Sequence, residues 1–318
     1  MKTILITGGR GLVGRHLAKA LEAKGYRVAV LTRSLAFGRR EERAGRFFYG
    51  WTHEEMPEEA VLEADAVVHL AGANIFDRRW APARRKLIID SRVKPTLQLA
   101  DILRRRGKKL EAYVSASAVG YYGMITSEEI FTEEHPPADD FTGLTGRLWE
   151  EAADEVARLG IRTVKLRTGI ALARDGGALR KMLPAFRLGL GAPVGSGRQY
   201  FPWIHIRDLT GMYLLALESE GLEGAYNAAV QSDTTFRSFG AALAKGMKRP
   251  YFMPAIPGPL LHLMLGERAK LLLEGSRVSA EKIKKAGFVF DFEELSLGLE
   301  DLDISPSLEK TAELFRGK

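Results

Sequence analysis

Residues 3–7, TILIT, form a continuous apolar run, and 12–25 then switch to the spacing of an amphipathic helix. Leu12, Val13, Leu17, Ala18 and Leu21 fall on one face of that helix, and Gly25 is placed to end it. The alternation continues with strands predicted at 26–33 (YRVAVLTR), 64–73 (ADAVVHLAGA), 111–117 (EAYVSAS) and 162–172 (RTVKLRTGIAL). ADAVVHLAGA is apolar almost throughout, the pattern of a strand covered on both faces. A long polar helix is predicted from about Pro82 to Arg106. Another follows DDFTGLTGRLWE (139–150) and is read as burying Leu144, Leu148, Ala152, Val156 and Leu159. Strands alternating with helices predict an α/β fold with a doubly wound parallel sheet.

From Gly189 the texture changes. GLGAPVGSGRQYFPW is loop-rich, and IHIRDLTGMYLLALE reads as a short strand and a helix. The chain from Lys248 is mainly helical, with a proline-rich start, MPAIPGP. We expect a nucleotide-binding domain over 1–247, with substrate-lobe insertions after about 175. A small helical domain over 248–318 would pack against the C-terminal ends of the strands.

Composition narrows the chemistry. No cysteine is present, which removes disulfides, thiolate nucleophiles and cysteine metal sites. The six histidines (16, 53, 69, 135, 205, 262) show no i, i+4 pair, so no metal is expected. No stretch approaches the roughly 20 apolar residues of a membrane span. MKTILITGG is too short in its apolar run for a signal peptide, so the expected location is cytoplasmic. The formal charge of +7 admits nucleic acid, an acidic membrane or a phosphorylated small molecule. The densest run, RRRGKK at 104–109, sits at a helix end, where cations complement the dipole. No nucleic-acid-binding motif appears, so the favoured partner is a small, anionic molecule. The face of helix 82–106 leaves a homo-oligomer open.

TGGRGLVG at 7–14 carries Gly8, Gly11 and Gly14 between a strand and a helix. In that context the glycines allow a tight turn, a close approach of pyrophosphate and helix–strand packing, while free N–H groups hold the anion. Thr7, Arg10, Leu12 and Val13 belong to the same cradle. The end of the second strand, where NAD sites place Asp or Glu, reads Thr32, Arg33, Ser34. A guanidinium there suits the 2′-phosphate of NADP and favours NADP over NAD. Arg39 and Arg40 are placed to help.

With these motifs in hand, the chain resembles the extended short-chain dehydrogenase/reductases, the NAD(P)-dependent epimerase/dehydratase family with its Rossmann-type sheet. T-G-G-x-G-x-x-G at 7–14, DAVVHLAGA at 65–73 and YVSASAVGYYG at 113–123 carry the resemblance. RRW (78–80), DSRV (90–93), RTGIAL (167–172) and 176–209 are similar to a subgroup of predicted nucleoside-diphosphate-sugar epimerases. Residues 260–290 resemble its C-terminal domain of unknown function.

The resemblance implies hydride transfer with a tyrosine acid/base, its pKa lowered by a lysine, and a hydroxyl that orients the substrate. It also implies that Leu70, Ala71, Gly72 and Ser115 line the cofactor, and that Ser117 is the orienting hydroxyl. The Tyr-x-x-x-Lys pair itself is absent. Counting back from Glu150 finds Gly146 and Thr142, and the shifted register finds Arg147 and Gly143. Tyr121 and Tyr122 become the candidate proton donors, with wall packing as the alternative, and Arg147 or His205 are placed to assist. Asp139, Asp140 and Glu134 are further candidate bases. Asp208 is read as holding the following helix N-terminus. Arg79, Trp80, Arg198, Tyr200 and Trp203 are candidate substrate contacts, with loop packing as the alternative. Two functions follow: an NADP-dependent oxidoreductase or epimerase with a non-standard acid/base group, or an NADP-binding sensor without turnover.

Overall fold

The computed structural model describes residues 1–36, 39–43, 45–52 and 55–304. His53 and the stretch 305–318 of the expected C-terminal domain lie outside the described residues. The strands are β1 (Thr3–Thr7), β2 (Arg27–Thr32), β3 (Arg40–Arg43), β4 (Arg46–Gly50), β5 (Ala66–His69) and β6 (Ala112–Ala118). They continue with β7 (Ile130–Phe131), β8 (Thr163–Thr168), β9 (Ile170–Leu172), β10 (Trp203–His205), β11 (Gly224–Ala228) and β12 (Arg277–Val278). The helices are α1 (Leu12–Ala23), α2 (Glu58–Leu62), α3 (Pro82–Arg106), α4 (Phe141–Ala157), α5 (Gly177–Arg187) and α6 (Ile206–Glu218). After them come α7 (Phe236–Gly246), α8 (Gly258–Leu265), α9 (Lys270–Leu273), α10 (Glu281–Lys285) and α11 (Leu295–Asp301).

Eight strands pair in the order β11-β8-β6-β5-β1-β2-β4-β3, all parallel except β3, which runs antiparallel to β4. All of TILIT is buried because the sheet is covered on both faces. Alternation sends Ile4 and Ile6 into the core under α1 and α6, and Leu5 into the opposite core under α2, α3 and α4. The order reverses at β1, whose neighbours are β2 and β5, so the C-terminal edge of these strands forms a crevice.

Several predicted boundaries are corrected. The strand expected over 162–172 divides at Gly169, where a Cβ would lie 2.3 Å from the Pro202 carbonyl oxygen. That close approach turns β9 out of the main sheet to pair with β10. The helix after 139–150 buries Thr142, Thr145, Gly146, Trp149, Glu150 and Ala153, whereas Leu144 is 37% exposed and Leu148 and Leu159 are only partly buried. Its phase is set by a polar group that must face inward. The long helix α3 keeps its predicted bounds, with Pro82 at its first turn and Gly107 at φ 62° ending it.

The C-terminal segment is helical with one strand. β12 pairs with β7, in the loop beyond β6. Arg268 donates to the Phe76 carbonyl, Arg85 pairs with Glu267, and Ser276 donates to the Ile125 carbonyl at 3.1 Å. This segment therefore sits on the loops that leave the C-terminal ends of β5 and β6. Its Leu299, Leu302 and Ile304 join the same buried cluster as β1 and α1.

Asp208 contributes to this attachment in an unexpected way. His205 is the N-cap of α6, its Nδ1 accepting from the Arg207 N–H at 3.2 Å. The Asp208 carboxylate, 2% exposed, instead accepts the Asp291 and Phe292 N–H groups at 2.8 and 3.1 Å. Asp208→Ala strands two buried donors and is expected to cost about 2–4 kcal/mol in urea unfolding. A loss below about 0.5 kcal/mol would show that the anchor is dispensable.

Candidate cofactor and active site

Gly8 has φ +69°, and a Cβ there would stand 2.8 Å from the Leu70 and Ala71 backbone. A Cβ on Gly14 would stand 2.6 Å from the Gly8 carbonyl oxygen. Glycine at position 8 lets the loop rest on the end of β5, and glycine at position 14 lets α1 pack on the loop. Such a Cβ on Gly11 would meet the Gly8 oxygen at 3.1 Å. Gly11 is the N-cap of α1, with no side-chain cap bond and no acidic residue in the first turn. The first-turn N–H groups are thus left for an anion.

Thr7 shapes this edge from below. Its hydroxyl accepts the Leu70 and Ala71 N–H groups, each at 3.1 Å, and lies 2.7 Å from His69 Nδ1. Two N–H donors already occupy the oxygen, so its single proton points at Nδ1. Nε2 therefore carries the ring hydrogen and donates to the Arg92 carbonyl at 3.2 Å. Burial pushes the His69 pKa down to about 4, which fits this neutral ring. Thr7, 1% exposed, is a support of the loop and is too buried for direct cofactor contact.

A cleft of about 640 Å³ opens along the edge. Gly8, Arg10 and Gly11 form one part of it, Arg33 and Ser34 another, and residues 70–74 with Arg84 the far wall. The donor set fits a dinucleotide carrying a 2′-phosphate: uncapped helix N–H groups, then a guanidinium and a hydroxyl at the β2 end. Other expectations need correction. Arg40 pairs with Glu63 at 3.2 Å and lies over Phe47, so it is already engaged. Ser115 is 1% exposed and donates to the Ala116 carbonyl. Leu12 packs against Gly176.

The start of α4, where the sequence register puts Thr142 and Gly146, is tightly packed. Asp140 caps α4, accepting from Thr142 N, Thr142 Oγ1, Gly143 N and Met124 N at 2.7–2.9 Å. Burial opposes its charge, yet these donors hold the carboxyl below its ordinary range. A cap so engaged is poorly suited to be a base. A Cβ on Gly146 would meet Tyr121 at 3.1–3.2 Å, and one on Gly143 would meet the Ala138 carbonyl oxygen at 2.1 Å. These glycines admit the neighbouring turn and loop.

Beneath lies a buried ion pair that the sequence reading missed. Arg167 donates to both Glu150 oxygens at 2.8 and 2.9 Å, and Ser117 donates to Glu150 Oε1 at 2.7 Å. Arg167 also donates to the Tyr122 hydroxyl at 2.9 Å, and that hydroxyl donates to Asn227 at 2.7 Å. Burial opposes the Arg167 charge, but its bonds to Glu150 keep it firmly protonated. Ser117 and Tyr122 are 3% and 2% exposed, and burial pushes Tyr122 up to about 12. Their geometry speaks for a structural network. Tyr121 is half-buried, with the Arg167 guanidinium 3.6 Å from its ring centre, and burial raises its pKa. Arg147 pairs with Glu151 instead of reaching either tyrosine.

The expected substrate contacts do not converge. Arg79 holds the Leu263 and Met264 carbonyls at the end of α8, and Trp80 donates to Ile75 and packs on Phe141. Arg198 is exposed and Tyr200 donates to Glu128. Trp203 is fully buried and out of reach of a substrate.

The sequence profile of the NAD dependent epimerase/dehydratase family matches residues 4–229, and that of a domain of unknown function, DUF1731, matches 256–302. The chain belongs to this epimerase/dehydratase family. It is 36% identical over 304 residues to bovine epimerase family protein SDR39U1, covering 94% of this chain and 99% of the relative. Epimerase family protein YfhF of Bacillus subtilis is 33% identical, with 94% and 97% covered. The human SDR39U1 structure, solved with NADPH, superposes with TM-score 0.82 at 32% identity over 94% of this chain and 98% of that one. A nucleoside-diphosphate sugar epimerase from Corynebacterium glutamicum follows at TM-score 0.75 and 26% identity, covering 98% of this chain and 64% of that one.

His69 and His205 are both buried, and burial lowers each to about 4. The unfolded chain takes up these protons near pH 6.5 and the native one only near 4, so stability is full above 6.5 and falls as pH drops toward 4. Unfolding free energy is expected to fall by about 2 kcal/mol per histidine between about pH 7 and about pH 5. Urea titrations at both pH values test this. An unchanged slope in His69→Gln would remove His69 from the effect.

Proposed function

We propose that the chain binds NADP(H) along the C-terminal edge of β1, β2 and β5 and reduces or epimerises a small molecule without a tyrosine–lysine pair. The observation that carries the cofactor reading is one cleft joining the uncapped start of α1 to the Arg33–Ser34 strand end. Bound NADPH supplies the hydride. Gly8 and Gly11 let the pyrophosphate approach the α1 N–H groups, while Arg33 and Ser34 take the 2′-phosphate. Tyr121, the half-buried phenol, gives its proton to the substrate carbonyl oxygen as the carbonyl carbon gains the hydride. Its raised pKa keeps it protonated at neutral pH, which suits donation in the reducing direction. Arg167 stabilises the resulting phenolate until solvent returns a proton.

A second reading, an NADP(H)-binding sensor without turnover, is favoured by the locking of Ser117 and Tyr122 into the buried network. Fluorescence titration is expected to find NADPH bound more tightly than NADH, with Arg33→Asp reducing that preference about 10–100-fold. An unaltered preference removes Arg33 from the 2′-phosphate. Against a panel of carbonyl compounds and nucleotide sugars, Tyr121→Phe is expected to abolish NADPH oxidation while leaving NADPH affinity intact. Tight binding with no turnover across the panel decides for the sensor.

A further inference from the structure

Two arginines of α3 have no place in the preceding chemistry. Arg84 lines the cofactor cleft, donates through Nη2 to the Asn74 carbonyl at 2.5 Å, and keeps a buried Nε with no partner. About two turns further along the helix, Arg92 donates through Nη1 to the Ala73 and Ile88 carbonyls at 3.1 and 2.8 Å. Its guanidinium lies 4.9 Å from the Trp149 ring centre and directly behind Gly72, where a Cβ would stand 2.9 Å from Cζ. Both heads thus brace the same short loop, residues 72–74, which forms the far wall of the cleft.

Neither arginine has a carboxylate partner among the described residues. The acid lining this cleft, Asp77, stands 3.9 Å from Lys181. Burial, and to a lesser degree the charge of Arg84, lowers the Arg92 pKa to about 10, which leaves Arg92 charged at neutral pH. Two guanidiniums without carboxylate partners on one helix cost free energy in the empty site, and an anion in the cleft lowers that cost. Bracing alone does not require charge, because a neutral amide donates to a carbonyl equally well.

We propose that the Arg84–Arg92 dication holds the pyrophosphate of the dinucleotide on the wall opposite the glycine loop, Arg84 by contact in the cleft and Arg92 through its charge behind Gly72. This rests on the cofactor reading above. Arg33 and Ser34 already serve the 2′-phosphate end, which assigns the dication to the phosphates that NADPH and NADH share. Arg84 touches the cofactor, Arg92 acts through its charge and the loop that it braces, and neither takes part in proton transfer.

Dinucleotide affinity, measured by titrating the full-length protein with NADPH and with NADH, tests the assignment. Arg84→Gln keeps a donor for Asn74 and removes the charge; it is expected to weaken both dinucleotides by about 10–100-fold and leave their ratio unchanged. Arg84→Lys, which restores charge, is expected to recover part of the loss. Arg92→Lys is the milder companion for the more buried site, and its unfolding midpoint reports whether the fold survives. Inorganic pyrophosphate is expected to displace NADPH from the wild type at lower concentration than from Arg84→Gln. Loss of the NADPH/NADH ratio alone would assign the dication to the 2′-phosphate and overturn the proposal. Unaltered affinities in Arg84→Gln would reduce both residues to loop braces. If the wild type binds neither dinucleotide, the cofactor reading itself fails, and this proposal fails with it.

Discussion

An arginine buried inside a parallel sheet needs a fixed counter-charge, and Arg167 on β8 finds it in Glu150 on α4. Moving either group alone out of water costs several kcal/mol, and bidentate geometry with extra hydrogen bonds is what offsets it. Much around the site answers to this pair. Glu150 must face the sheet, so α4 rotates until Thr142, Gly146 and Ala153 lie inward and Leu144 outward. Ser117 and Tyr122 complete the coordination, and Asn227 carries the network on to the Phe131 and Ser279 carbonyls at 3.3 and 3.0 Å. Through those carbonyls the C-terminal segment is attached to the same charge.

The pair also explains why hydroxyl groups at plausible sequence positions are unsuited to chemistry. A hydroxyl held by Glu150 or Arg167 has its hydrogen-bonding capacity directed inward. Tyr121 differs because it meets the network through its ring face, leaving part of the residue exposed. Gly146 is what lets that ring lie against α4. The residue that replaces the expected lysine therefore makes room for a phenol from another element.

The sheet and the cofactor edge were readable because periodicity and turn chemistry are local. TILIT, the glycine loop and the Pro82-to-Gly107 helix each carry their own signal within a few residues. The phase of α4 was not readable in this way. Leu144 and Leu148 have the spacing of a buried face, yet a charge on a strand that follows the helix outweighs them. Asp208 misled for the same reason. Its place in the first turn of α6 suggests a local cap, while its partners lie at 291 and 292, far along the chain. Trp203 looked like a loop aromatic because the return of the chain at Gly169, which pairs β10 with β9 and buries it, is a contact between distant segments. Nothing local singled out the Glu150–Arg167 pair, because Glu150 is one of four acids on α4 and Arg167 shares β8 with Lys165.

These constraints shift positive charge across the site. In the pattern the resemblance implies, a lysine on α4 stands beside the tyrosine, close to where the proton moves. Here the register read from the sequence has glycine, and the arginine near Tyr121 shares its charge with Glu150. Two arginines with no carboxylate partner among the described residues lie instead on α3, behind and beside the loop that follows β5. A cation next to a phenol lowers its pKa and favours proton release, whereas cations beside phosphate groups strengthen binding without touching the reacting carbon. Moving charge from α4 to α3 therefore favours retention of a dinucleotide over acceleration of its reaction. In the proposed reaction it leaves Tyr121 a weak acid whose proton is given up in the reducing direction.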